Sequence, residues 1–86
     1  VREGDLTKVV YTAIEEGDLQ GAIKILHEQL QSFPKSRAAL SLLAYCYYQL
    51  QDFFNASQMY AALVNFYPQV QEYREYYIQT LAKAGM

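Results

Sequence analysis

The sequence predicts an all-α fold: a solenoid of helix–turn–helix units, about five antiparallel helices, forming a fragment of a longer chain. Three observations lead there. Residues recur at a shift of 34, the apolar positions between recurrences follow helical spacing, and no segment sustains the alternation of apolar and polar residues that marks a half-buried strand. Of the 86 residues 52% are apolar and 19% charged, a composition that packs and does not stay disordered. The length limits the chain to one small domain.

Pro34 and Pro68 are one period apart, as are Asp18 and Asp52, Ala22 and Ala56, Leu6 and Leu40, and the aromatics Phe33 and Tyr67 just before each proline. Leu19 corresponds to Phe53, Leu26 to Tyr60 and Leu30 to Val64, while Gly17 and Gly85 are two periods apart. The repeat divides the chain into a first unit over 3–36, a second over 37–70 and the first helix of a third over 71–86.

The first helix, near 5–16, carries Leu6, Val9, Val10 and Ala13 and ends before Gly17. The second, 19–32, holds Ala22, Leu26 and Leu30 and is stopped by Pro34, because proline disfavours a helical residue before it. In the third, 36–49, Leu40, Leu43 and Tyr47 fall at i, i+3 and i+7 on one stripe, and Ala44 is small enough for a close neighbour. The polar turn Gln51–Asp52 leads to the fourth helix, 53–66, with Asp52 placed to accept its first backbone N–H bonds; Ala56 and Tyr60 follow, and Pro68 stops it. The fifth, 70–84, breaks off at Gly85, and its apolar Tyr73, Tyr77 and Leu81 are expected to stay uncovered and to drive association.

Composition removes several kinds of function. The net charge is −2 with seven scattered Lys and Arg, whereas a nucleic-acid binder gathers a basic face. One cysteine and one histidine cannot supply an internal disulfide or a structural zinc site, so no metal and no cofactor are expected, and a reducing compartment suits the chain. The longest apolar stretch, 38–48, is too short to span a bilayer, and no cationic leader precedes an apolar run at the start. Phosphate loops and nucleophile–base–acid sets are absent, and the adjacent Glu15 and Glu16 do not share a face as a carboxylate dyad would. No enzyme is expected.

LLAYCYYQLQDF, residues 43–54, raises the one chemical alternative, a thiol among tyrosines. Tyr47 and Tyr60 occupy core positions of the repeat, where aromatics bury large area. Cys46 lies late in its helix with no basic neighbour in local sequence and reads as a small buried hydrophobe. His27, among Lys24, Glu28 and Gln31, reads as solvated surface, and Glu72, Arg74 and Glu75 as weak exposed ion pairs. Tyr45 and Tyr48 point away from the Leu40–Leu43–Tyr47 stripe. Their counterparts one period earlier are Tyr11 and Ile14, and one period later Gln79 and Ala82. In a solenoid the first helices of successive units line the concave side, so the candidate partner-binding groove is Tyr11, Ile14, Tyr45, Tyr48 and Gln79. The bland alternative covers both rows with neighbouring helices.

The second unit's order, Leu40-x2-Leu43-Ala44-x2-Tyr47, Ala56-x3-Tyr60, Pro68, is the tetratricopeptide pattern with leucine replacing the usual tryptophan. More specifically, SRAALSLLAYCYYQLQDFFNASQMYAALVNFYP with EYREYYIQTLAKAG, preceded by VVYTAIEEGDLQGAIKIL, resembles the N-terminal part of the tetratricopeptide-repeat subunits of intraflagellar transport complex B. Leu19 and Val10 depart from the generic pattern, where an aromatic and a small residue are usual. The resemblance implies a right-handed α–α superhelix without enzymatic activity, required for cilium assembly and located in the cilium or flagellum and the cytoplasm. It implies that the superhelix wraps a proline-rich segment of a partner subunit of the complex. Polyproline segments dock on aromatic grooves, which suits Tyr11, Tyr45 and Tyr48. An alternative is a generic co-chaperone or adaptor that binds a partner peptide in the concave groove. For an acidic tail it would need Lys or Arg donors, and the inward candidates are Thr7, Tyr11, Ser41 and Tyr45.

Overall fold

The computed structural model describes residues 3–85, with side chains from Asp5 onward. Five helices follow one another: α1 (Glu3–Glu15), α2 (Leu19–Ser32), α3 (Arg37–Gln49), α4 (Phe53–Phe66) and α5 (Gln71–Lys83), and no strand occurs among the described residues. Each helix packs on the next, and α1 also meets α3. The expected boundaries hold to within two residues.

Each hairpin is closed by the same three-residue turn. After α1 the Gly17 N–H donates to the Ile14 carbonyl (3.0 Å) and the Asp18 N–H to the Ala13 carbonyl (2.8 Å). After α3, Gln51 donates to Tyr48 (3.0 Å) and Asp52 to Tyr47 (2.9 Å). These paired bonds satisfy carbonyls that a helix end leaves open, and they require a left-handed residue at the turn. Gly17 has φ 80°, Gly85 φ 79° and Gln51 φ 60°, three positions one period apart. Glycine adopts this conformation freely, whereas a residue with a Cβ does so at a cost. The aspartate then starts the next helix: Asp18 accepts from the Gly21 N–H (2.9 Å), and Asp52 from the Asn55 N–H (3.3 Å) and the Asn55 side chain (2.7 Å).

The turns between hairpins also repeat. Phe33 and Tyr67, each preceding a proline, share one non-helical geometry (φ −133° and −131°, ψ 77° and 65°) and donate back to Gln29 and Leu63, both at 2.9 Å. They differ at the next helix start. Ser36 accepts from the Ala39 N–H (3.2 Å), while Val70, at the same place before α5, gives no side-chain cap.

Leu6, Val10, Ala22, Ile23, Leu26, Ala39, Leu43 and Cys46 form one buried cluster across α1, α2 and α3. Ala44 and Ala56 are fully buried, as the close approach of α3 to α4 requires. The buried Ser57 and Thr80 hydroxyls donate to the Phe54 and Tyr76 carbonyls of their own helices (2.6 and 2.7 Å), the local bonding that keeps such groups satisfied in a core.

The structure corrects the expectation for α5. Tyr73, Tyr77 and Leu81 are half-buried; α5 packs its backbone on α4, and Tyr73 also reaches Arg37 of α3. The uncovered chains are Tyr76, 46% exposed, and Ile78, 66% exposed. Ile78 stands at the register of Val10 and Ala44, both fully buried. Arg74 stands where the first two units place the buried Leu6 and Leu40 and is exposed. It donates to the Pro68 carbonyl, and Glu75 accepts from Gln71 (3.3 Å), in place of the expected ion pairs.

The left-handed turn residues make a paired test. Gly17→Ala should cost about 1 kcal/mol in a urea melt, whereas Gln51→Gly should gain about 0.5 kcal/mol by relieving the same strain. Equal losses at the two positions would mean that the turns are not equivalent. Filling the empty cap with Val70→Ser should add about 0.5–1 kcal/mol.

Candidate functional site

The equivalent positions of α1 and α3 carry Tyr11, 49% exposed, and Tyr45, 44% exposed. The two helices touch, so the rings belong to neighbouring rods at one register. Gln79 at the same register of α5 is exposed. The other two residues of the set are more covered. Ile14 is half-buried and packs against the core cluster. Tyr48 is half-buried with its ring edge-on to Phe53, centroids 5.1 Å apart. The Lys83 ammonium, at the end of α5, sits 5.8 Å from the Tyr48 ring centre and 5.6 Å from that of Phe53. Two exposed phenols, a half-covered phenol under a cation and an exposed amide thus lie on α1, α3 and α5.

The core aromatics behave differently. Tyr47 packs against the core cluster, and its hydroxyl lies 2.8 Å from His27 Nε2, with the two rings meeting edge-on. The exposed His27 therefore has a defined partner across the α2–α3 contact, which local sequence did not indicate. Burial holds the Tyr47 phenol above its ordinary value, with Asp52 and Cys46 adding to the effect. Burial likewise raises Tyr60, helped by Tyr76 and Tyr48, and the Tyr60 and Tyr76 rings are 5.7 Å apart. Cys46 is free, fully buried and pushed upward by burial, so its thiol stays protonated where a catalytic thiolate would be needed. Among the described residues no group of three His, Cys, Asp or Glu side chains could hold a metal ion, and no helix is long and apolar enough to cross a membrane.

A second cluster at the turns between hairpins was missed by sequence reasoning. Arg37, at the start of α3, places its guanidinium 5.0 Å from the Tyr67 ring centre and 5.5 Å from that of Tyr73. It donates from Nε (3.1 Å) and Nη2 (2.9 Å) to the Tyr73 hydroxyl, a bond that holds its charge even more firmly than usual. The only one-dimensional hint is that Lys35 and Arg37 flank a turn one period before another aromatic–proline turn.

A family model for the tetratricopeptide repeat matches residues 13–83. Over all 86 residues the chain is 48% identical to Intraflagellar transport protein 70A of Xenopus tropicalis and 48% identical to Tetratricopeptide repeat protein 30 homolog of Aedes aegypti, covering 100% of this chain and 13% of each relative. It is also 46% identical to Tetratricopeptide repeat protein 30 homolog of Caenorhabditis elegans over 84 residues, 98% of this chain and 13% of that protein. The chain thus spans about 13% of the length of the curated relatives it matches.

The raised thiol and phenols fix a pH response. Folded Cys46, Tyr47 and Tyr60 keep protons that the unfolded chain gives up, so the stability they leave intact is fully present below the unfolded values and falls as pH rises beyond them. The melting midpoint should hold steady through neutral pH, decline above about pH 9 as an exposed thiol ionises, and fall faster above about pH 10 as exposed phenols do. A midpoint that rises over this range would contradict the assigned burial.

Proposed function

Because the chain belongs to the tetratricopeptide repeat family, we propose that it is a non-enzymatic stretch of a protein-interaction scaffold that works in intraflagellar transport. In this reading its first helices line the concave side of a longer superhelix, and Tyr11, Ile14, Tyr45, Tyr48 and Gln79 face a proline-rich segment of a partner subunit of complex B. The units run 3–36, 37–70 and onward from 71. The scaffold acts in the cilium or flagellum, where it serves cilium assembly, and in the cytoplasm that supplies it.

One observation carries the binding face: Tyr11 and Tyr45, one period apart on touching helices, keep nearly half their surface in solvent although most aromatics of the chain are more covered. A proline-rich segment enters a polyproline helix at little entropic cost and offers flat pyrrolidine faces to such rings. The relatives named for intraflagellar transport supply the system. The enzyme reading fails on Cys46, whose buried thiol has neither access nor a lowered pKa.

Binding of a fluorescent proline-rich peptide with P-x-x-P spacing tests the face. Tyr45→Ala should weaken it roughly tenfold, about 1.4 kcal/mol, and Tyr11→Ala similarly, with melting midpoints unchanged because both rings are half outside the core. Unaltered affinity in both variants would remove the tyrosines from the site.

A further inference from the structure

The two turns between hairpins lie side by side and gather cations. The Tyr67 hydroxyl donates to the Lys35 carbonyl and ties one turn to the other. Around this tie stand Lys35, whose ammonium is 5.4 Å from the Phe66 ring centre, Arg37 between the Tyr67 and Tyr73 rings, and Arg74 on the Pro68 carbonyl. Three of the chain's seven Lys and Arg thus meet at one edge of a molecule whose net charge is −2. Ring faces, a phenol and a carbonyl hold them; among the described residues no carboxylate is paired with any of the three. Rings and hydrogen bonds fix these cations in place, and no carboxylate among the described residues bonds directly to them. Phe33, 53% exposed, and the exposed Pro34 give the patch an apolar rim.

We propose that this edge, distinct from the tyrosine face, docks a short acidic segment of a partner protein. Carboxylates of that segment take the outer Nη1 side of Arg37, the Lys35 ammonium and the Arg74 guanidinium, and its stem lies on Phe33 and Pro34. With Nε and one Nη2 hydrogen spent on the Tyr73 hydroxyl, Arg37 keeps its Nη1 and remaining Nη2 N–H groups, the fork that carboxylates match. The scale of the patch selects the partner. Nucleic acid draws its affinity from many phosphate contacts, and three cations supply few. Two or three carboxylates suit the available charge.

The test is a titration of the 15N-labelled chain with a synthetic peptide of alternating glutamate and glycine. Amide shifts should saturate over residues 33–37 and 66–74 and weaken as NaCl is raised, because exposed pairs are screened. Lys35→Gln and Arg74→Gln, both at exposed side chains, should each weaken binding roughly two- to fivefold. Lys24→Gln, the same charge change on α2, should leave it unchanged, and so should Tyr45→Ala. The proposal is overturned if no shifts appear, if Lys24→Gln costs as much as Lys35→Gln, if Tyr45→Ala abolishes binding, or if oligo-dT or vesicles of anionic lipid bind the same residues more tightly.

Discussion

At the closed end of each hairpin one aspartate belongs to two helices. The backbone N–H of Asp18 or Asp52 finishes the hydrogen bonding of the helix before it, and its carboxylate begins that of the helix after it. With both duties in one residue the connection shrinks to three positions, and the returning helix has no freedom to drift away from its partner. Leu26 and Ala22 are buried in one cluster with Leu6 and Val10, and Ala44 and Ala56 are buried on the packed pair α3 and α4. The core then needs no large side chain at the closest approach; alanine suffices where a bulkier residue would hold the rods apart. The level of Tyr11 with Tyr45 is a further result, since identical turns return identical registers.

This economy explains what the sequence could disclose. Turn residues, prolines and small core residues act within a few positions of themselves, so their 34-residue recurrence maps onto recurrent geometry. The helices, the aspartate cap and the burial of Cys46 were legible for that reason. The Arg37 stack was not, because it depends on Tyr67 and Tyr73 arriving from α4 and α5 after both have packed. Nor was the His27–Tyr47 hydrogen bond, which joins residues twenty positions apart. α5 was misjudged for a related reason. Its face was read from the repeat, but Arg74 replaces a core leucine and the half-buried Tyr73 turns toward Arg37. The five groove residues could be assigned a register from sequence, and the structure adds their unequal exposure: Tyr11, Tyr45 and Gln79 open, Ile14 against the core, Tyr48 beneath Lys83.

Aromatic residues divide the work of this small molecule. Those in the hairpin interiors fill volume and keep their hydroxyls protonated. Those at the turns between hairpins hold cations in place without cancelling them, since a ring attracts an ammonium or guanidinium through its quadrupole and carries no net charge of its own. A carboxylate in the same place would steady the cation and erase its field. The difference lets a chain of net charge −2 carry a local positive edge.

The helices α3 and α5 have no close backbone approach. Their side chains meet near both ends, through Arg37 with Tyr73 and through Lys83 with Tyr48. Both spacers are long, flexible stems, and α4, packed on both rods, carries the closer contacts between them. The stems brace the two rods outside their shared packing on α4, much as a pair of struts steadies two panels fixed to one post.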